Sequence, residues 1–569
     1  MVREIIHLLH TADILNLTLS TSFLIYYIVL IIIYKKFKED KKLWNLLCFI
    51  PLVISIIHLI IFVFGSAFLE ILPNYLTIYI PAILISLMPL LTKKKITYNI
   101  GKTITIILCI IASLIAVDSL KITNYTRKSL SKAYIALCDK FEKEYILKDW
   151  KKIDYKKLKE EGLVLVKEAE KTGDINKYYE ALDNFVKAHN DGHMGVNYKT
   201  SEYLINKIKS FNDYGLSLIT LDDGTTIAVN VEENLEIKEG DTITKWNGEK
   251  IEDAIKKVNP PMNEGVLENE KILKTFYLSG VGGEKVEVTY INSKNEEKTV
   301  TLNKLDSELP RALKSYSTYT HSHNDNPYEY KMLNDNTGYL KIGKEKTDTI
   351  SDTIAYMTGN HKKARKKFRK SLQELREQGM TKLVIDARNN GGGFDEVATA
   401  LASLFTKEKM YAFSLGHISN NRYIKETDHY VLSDGEFSDI EVLVLTNLRC
   451  ASAGDGLILY LSRIDGITVA GLSNPAGINQ ETGGIVYMPE GVNINYPTGL
   501  ILNQEGVPSI DVTDARISRN PVDIKIPLDK ESAIKLFSGE DYELEWAIDY
   551  LNKIRWKPSL FWQKQITVL

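Results

Sequence analysis

Ser452 stands in the stretch Arg449-Cys450-Ala451-Ser452-Ala453-Gly454-Asp455, between an apolar strand-like run and a helix-like run. A serine at such a junction has its hydroxyl at the C-terminal edge of a sheet, beside unpaired backbone N–H groups and the positive end of a helix dipole. That setting suits an acyl-transfer nucleophile, because the same N–H groups can stabilise an oxyanion. Ser452 and Asp455 also satisfy the helix-capping signature S-x-x-D, so a catalytic and a structural role compete for one residue. The second stretch is Asp386-Ala387-Arg388-Asn389-Asn390-Gly391-Gly392-Gly393, which follows another apolar run. Consecutive glycines suit a backbone that must take positive φ or admit a close neighbour, and here they are placed to offer amides to a substrate carbonyl. The third stretch is Asp191-Gly192-His193. An imidazole ordinarily titrates at about 6.5, so a histidine can take a serine proton and return it to a leaving group near neutral pH. His189 and His193 are four apart, and His321 and His323 form a similar pair, but neither lies in an HExxH helix. No P-loop or GxGxxG pattern is present either, so neither a metal nor a cofactor is expected.

Elements that position these stretches are legible around them. Residues 382–387 form a buried-strand run followed by a helical pattern over 396–405, and 441–446 form another followed by a helix over 453–464. That alternation predicts an α/β layer. Residues 126–190 show helical spacing, with Tyr134, Leu137, Cys138 and Phe141, then Val164, Val166, Tyr178, Tyr179, Leu182 and Phe185, as core positions. Between about 206 and 303 the pattern changes to short strands separated by Asp222-Asp223-Gly224, Glu239-Gly240-Asp241 and Trp246-Asn247-Gly248 turns.

The chain has 569 residues, enough for several domains. With 44% hydrophobic and 25% charged residues and a net charge of -2, it is not a disordered chain, and nucleic-acid binding has no electrostatic support. Four cysteines without CxxC spacing exclude a disulfide scaffold, a zinc ribbon and a thioredoxin motif, and leave open whether Cys138 and Cys450 pair. Residues 14–34 carry no charge over 21 positions, 43–69 hold only His58, and 71–92 carry none. Each is long enough to span a bilayer at ~20 residues per crossing, whereas 103–117 is shorter. Three further apolar runs follow the first, which argues against a cleavable signal peptide. Lys35, Lys36, Lys38, Lys41 and Lys42 occupy the first connection, and Lys93, Lys94, Lys95 and Lys102 the third. Positive-inside bias then predicts an outward N-terminus, four crossings and an extracytoplasmic remainder at the cell membrane.

Taken together, the DGH stretch, the segment Glu239-Gly240-Asp241-Thr242-Ile243-Thr244-Lys245-Trp246-Asn247-Gly248 with its PDZ-like pattern, the DxRxNGGG stretch and the ASA stretch resemble the C-terminal processing (tail-specific) peptidases and their tricorn-core relatives. The resemblance spans about 125–530. It implies a multidomain chain: a transmembrane region of four helices over 1–120, a helical bundle over 121–203, a PDZ-like domain over 204–305, and an α/β peptidase core of crotonase-like spiral type over 306–569. It also implies a serine endopeptidase that engages polypeptides by their C-terminal tails in the PDZ-like groove, tethered to the lipid bilayer, with no nucleic-acid partner. The bacterial-type members use a Ser–Lys dyad, but the position 25 after Ser452 is Gly477, and no lysine occurs between Ser452 and Lys525. The tricorn-like branch instead implies His193 as base and Glu505 as its orienting group, with Asn503 or Asp511 as alternatives. The implied oxyanion hole is Gly391, Gly392 and Ala453. A peptide-binding sensor that kept the fold and lost catalysis is the alternative.

Overall fold

The computed structural model describes residues 123–198, 203, 207, 211–321, 326–347, 351, 352, 355 and 361–553. The four apolar runs of the N-terminal region lie outside the described residues. Among the described residues no helix is long and apolar enough to cross a membrane. The chain forms two compact units. One comprises Met1–Ser129 with Gly484–Ile494, and in it Thr123–Asn124 runs parallel to Val486 and Tyr487. The other comprises Leu130–Gly483 and Asn495–Leu569, and it carries all the chemistry considered below.

That larger unit begins with helices α1 (Leu130–Glu144), α2 (Tyr155–Thr172) and α3 (Ile175–Lys187). On α1 the buried residues Ala133, Tyr134, Leu137, Cys138 and Phe141 recur at one-, three- and four-residue spacing, which gathers them on one face. Asp154 and Asp174 cap α2 and α3 by accepting from Lys157 N and Asn176 N. Phe141 and Phe185 meet edge to face at 5.1 Å. Val164 departs from expectation. It is 67% exposed, because two positions along a helix turn it away from the buried Val166 by roughly 200°.

Next come β1 (Ser217–Thr220), β2 (Thr226–Val229), β3 (Thr242–Trp246), α4 (Ile251–Lys257), α5 (Leu267–Leu278), β4 (Lys285–Ile291) and β5 (Glu297–Asn303). The strands form an antiparallel sheet in the order β1-β2-β3-β4-β5, with β1 at its edge. The turn at Asn247 takes φ 51°, an αL geometry that asparagine tolerates.

The remainder is the α/β layer: α6 (Arg311–Tyr319), β6 (Tyr328–Met332), β7 (Thr337–Ile342), α7 (Lys362–Glu377), β8 (Lys382–Asp386), α8 (Asp395–Ala402), hairpin strands β9 (Met410–Ser419) and β10 (Arg422–Val431), β11 (Glu441–Leu445), α9 (Ala453–Ser462), β12 (Ile467–Gly471), β13 (Ile524–Lys525), α10 (Lys530–Ser538) and α11 (Tyr542–Lys553). The sheet runs β13-β12-β11-β8-β7-β6, parallel except at β6. Its four central strands, β7, β8, β11 and β12, are largely buried on both faces, and their side chains alternate. Leu383, Ile385, Val442 and Val444 pack with Phe368, Leu401 and Leu457 on one face. Val384, Leu443 and Leu445 pack with Phe276, Tyr319 and Leu551 on the other. The period of two in a strand thus builds two apolar cores from one sheet. Cys138 and Cys450 are both free thiols in the interior.

Candidate active site

Parallel pairing of β8 with β11, Asp386 opposite Leu445, places the loops that follow them at one edge of the sheet. The two loops are stitched together there: Ala451 N–H donates to Asn390 O at 2.8 Å, and Asn389 N–H to Asn447 Oδ1 at 3.1 Å. Ser452 is the residue before α9, and its conformation bears on the capping role. It takes φ 59° and ψ −132°, and its side chain makes no capping hydrogen bond. Asp455 completes no capping box, since its carboxylate accepts from Gly477 N at 2.6 Å and Ile478 N at 3.2 Å. A non-glycine residue held in this sparsely populated region carries roughly 1–3 kcal/mol of strain. The strain gains no cap; it leaves a half-buried hydroxyl in front of the helix N-terminus.

Close packing explains the glycine run. Gly392 has φ 92°, and a Cβ there would lie 2.6 Å from Ser452 Cβ and 2.9 Å from Ala451 O. Only a residue without a side chain lets the loop approach the serine so closely. Gly392 N–H donates to Asn390 Oδ1 at 3.0 Å, which corrects its expected role as an oxyanion donor: that amide is engaged within its own loop. Ala453 sits at the first helical position, where a backbone N–H has no intrahelical acceptor. Gly391 is exposed, with open space around its Cβ position.

His193 lies in the loop after α3. An Asx turn fixes that loop, with His193 N–H donating to Asp191 Oδ1 at 2.9 Å, while Tyr145 Oη–H donates to Asp191 Oδ2 at 2.6 Å. Segment 478–480 is the common neighbour. Ile478 O accepts Ser452 N–H at 2.9 Å, and Ile478 Cδ1 lies 2.7 Å from where a Cβ of Gly192 would stand. The adjacent Asn479 N–H and Gln480 Nε2–H donate to Asp511 Oδ2 at 3.2 and 2.6 Å.

Asp511 is fully buried, and its Oδ1 has no hydrogen-bond partner; the buried Nδ1 of His193 has none either. Burial pushes the Asp511 carboxyl upward, Asp191 adds to this, and Lys151, Gln480 and His193 pull it back. Glu505, by contrast, is exposed in the turn between Asn503 and Gly506, which Gly506 N–H closes onto Asn503 O at 3.0 Å. Of the three sequence candidates, Asp511 is thus the buried carboxylate with an unpartnered oxygen. Glu505 itself stands exposed at that turn. Asn503 serves that turn with its side chain, accepting from Val507 N at 3.1 Å.

His189 is not a ligand. It is buried among Phe141, Tyr145 and Phe185, with Nδ1 on Phe185 O at 2.7 Å and Nε2 on Tyr155 Oη at 3.0 Å, and burial lowers its pKa to about 4. Among the described residues no group of three or more His, Cys, Asp or Glu could hold a metal ion. Sequence reasoning missed Asn390, whose backbone and side chain tie the glycine loop to the serine loop. The signal was a second asparagine before the glycines, which turn geometry alone also explains.

A cleft of about 420 Å³ lies along edge strand β1, lined by Ile219 and Leu221, Ile255 of α4, Ile272 of α5, and Leu472 and Leu528 of the core. Lys256, Lys271 and Lys525 stand at the same cleft with Asp222, Glu252 and Glu268, and Lys525 pairs with Asp222 at 3.2 Å and Glu268 at 3.4 Å.

Residues 336–514 match the family model Peptidase family S41. No curated protein sequence matches the chain. Among solved structures, mature CPAF complexed with lactacystin is 13% identical, with 75% of this chain and 98% of that chain covered at a TM-score of 0.50. A peptidase from Parabacteroides merdae is 15% identical, covering 75% and 97%, at 0.40. The photosystem II D1 C-terminal processing protease is 16% identical, covering 73% and 98%, at 0.33. The likeness to CPAF is one of fold.

Proposed function

From a core that matches peptidase family S41, and an enzyme class that is therefore serine-type peptidase, we propose that this chain hydrolyses peptide bonds through Ser452, His193 and Asp511. The observation that carries the reading is Ser452 itself, strained at a helix N-terminus without capping that helix. Ser452 Oγ attacks the scissile carbonyl while His193 takes its proton. The Ala453 N–H and the α9 dipole stabilise the oxyanion, with Gly391 beside them. His193 then protonates the leaving amine, and water completes deacylation by the same route. Asp511 Oδ1 and His193 Nδ1, both buried without a partner, would pair once the imidazolium forms, which would fix the tautomer and stabilise that cation.

The β-module takes the PDZ-like role. An extended polypeptide adds as a strand along the β1 edge, its side chains entering the apolar cleft and Lys271 offering a contact to a terminal carboxylate. The N-terminal apolar runs tether the enzyme to the lipid bilayer, with the peptidase outside the cytoplasm. The test is cleavage of fluorescein-labelled casein by the purified full-length chain. Wild type cleaves and folded Ser452→Ala does not; equal cleavage by both overturns the assignment, and cleavage by neither favours the peptide-binding alternative.

A further inference from the structure

Directly behind the glycine loop, where the chain leaves β7, lies Glu345, which is 0% exposed. Its backbone is bound to the loop on both sides: Glu345 N–H donates to Gly392 O at 3.2 Å, and Phe394 N–H donates to Glu345 O at 3.0 Å. Gly393 is pressed against it, since a Cβ there would fall 2.3 Å from Glu345 O. The side chain continues the connection. Glu345 Oε1 accepts from Asn390 Nδ2, and Asn390 Oδ1 in turn accepts Gly392 N–H. Asn390 O holds Ala451 N–H, one residue before the serine. Thus one carboxyl reaches both walls of the active site through a single asparagine.

Glu345 Oε2 is buried without a partner. An ionised carboxylate so placed would be severely under-solvated, whereas a carboxylic acid carries no net charge to solvate. The titratable groups facing it are Asp395 at the start of α8 and the Cys450 thiol in the serine loop, and neither is a cation.

Resting on the proposed serine mechanism, we propose that Glu345 is a positioning residue that holds the glycine loop in its working shape only while its carboxyl is protonated. Desolvation supports this by raising its pKa to about 8, with Asp395 adding to the shift and Asn390 opposing it. When the proton leaves, the new charge has no counter-ion and faces Asp395. It recruits water or moves toward it, and the Asn390 link drags the loop from Ser452. The folded state binds this proton more tightly than the unfolded state. Stability therefore declines as pH rises from the ordinary carboxylate range toward about 8, and no further above it.

The experiment measures the rate at which a fluorophosphonate probe labels the purified full-length chain, as a function of pH, with the fold followed by circular dichroism. Wild-type labelling falls roughly tenfold from pH ~7 to ~9 with the fold intact, as one ionisation at the value above requires. Glu345→Gln, neutral and of the same shape, labels within a few-fold of wild type at neutral pH and loses the alkaline fall. Glu345→Met, which cannot bond Asn390, labels more slowly at every pH and also lacks the fall. A wild-type rate that stays level to pH ~9, or a Glu345→Gln profile that keeps the wild-type fall, overturns the proposal. Ser452→Ala separates this outcome from failure of the serine mechanism, because an unlabelled Ser452→Ala preserves that mechanism whatever Glu345 does.

Discussion

Replacing Gly392 by alanine adds one methyl group at the closest approach of the two active-site loops. Its Cβ would stand 2.6 Å from Ser452 Cβ, 2.9 Å from Ala451 O and 3.0 Å from Ala453 N. None of these atoms is the free end of a flexible side chain, so relief requires one loop to move. The residue's φ of 92° adds a left-handed penalty of about 1–2 kcal/mol. Overpacking adds about 1–3 kcal/mol, so the sum is about 2–5 kcal/mol if the loops hold. If they yield instead, Ser452 shifts against its oxyanion donors, and a displacement on the order of 1 Å lowers turnover by about 10²-fold. Urea unfolding and fluorophosphonate labelling of the same preparation measure the two alternatives together. Gly391→Ala is the internal control, because its Cβ would meet nothing within 4 Å; it should change stability by no more than about 0.5 kcal/mol. A Gly392→Ala protein with wild-type stability and wild-type labelling would refute the close-approach argument.

His193→Ala should lower casein turnover by about 10³-fold or more, and Asp511→Asn by a comparable factor, with folding checked by circular dichroism. Glu505→Gln should leave turnover within about twofold of wild type; the reverse ranking would restore Glu505 as the orienting group. Ile272→Glu places a charge in the cleft beside β1 and should raise KM for peptides about tenfold or more while leaving fluorophosphonate labelling intact; an unchanged KM would remove the cleft from substrate binding. Asp541 accepts from Arg388 Nη1 at 2.7 Å, and this partner holds its carboxyl below the ordinary range despite opposing desolvation. Its stabilising contribution is present above the ordinary carboxylate range and is lost as pH falls below it. The Tm deficit of Asp541→Asn should therefore be largest near neutral pH and shrink in acid; a deficit independent of pH would count against the ion pair.

Local patterns carried much of the architecture. The run at 382–387 is β8, Lys382–Asp386, and the helical pattern at 396–405 is α8 extended by the short 3-10 turn Ser403–Phe405. Both features depend on residues near in sequence. The loops bearing Ser452 and the glycines were legible for the same reason, since parallel strands buried on both faces read as continuous apolar runs. Asp511 was legible only as one carboxylate among three nearby candidates. What singles it out is burial against Asn479 and Gln480, more than thirty positions away, and no local pattern encodes that. Glu505 drew attention through its place in a recognisable turn, yet a turn tip faces solvent. The hairpin β9–β10, the Asn390 bridge and Glu345 were equally hidden, because their significance lies in which partner the fold brings to them.

The central claim is that the strained Ser452 hydroxyl forms the acyl-enzyme, and mapping a fluorophosphonate adduct on the full-length chain by peptide mass spectrometry tests it most directly. The account predicts one adduct on Ser452 in wild type, a marked loss of labelling in His193→Ala, and no adduct in a folded Ser452→Ala protein. An adduct on another residue, or a folded Ser452→Ala chain that still labels, would contradict it.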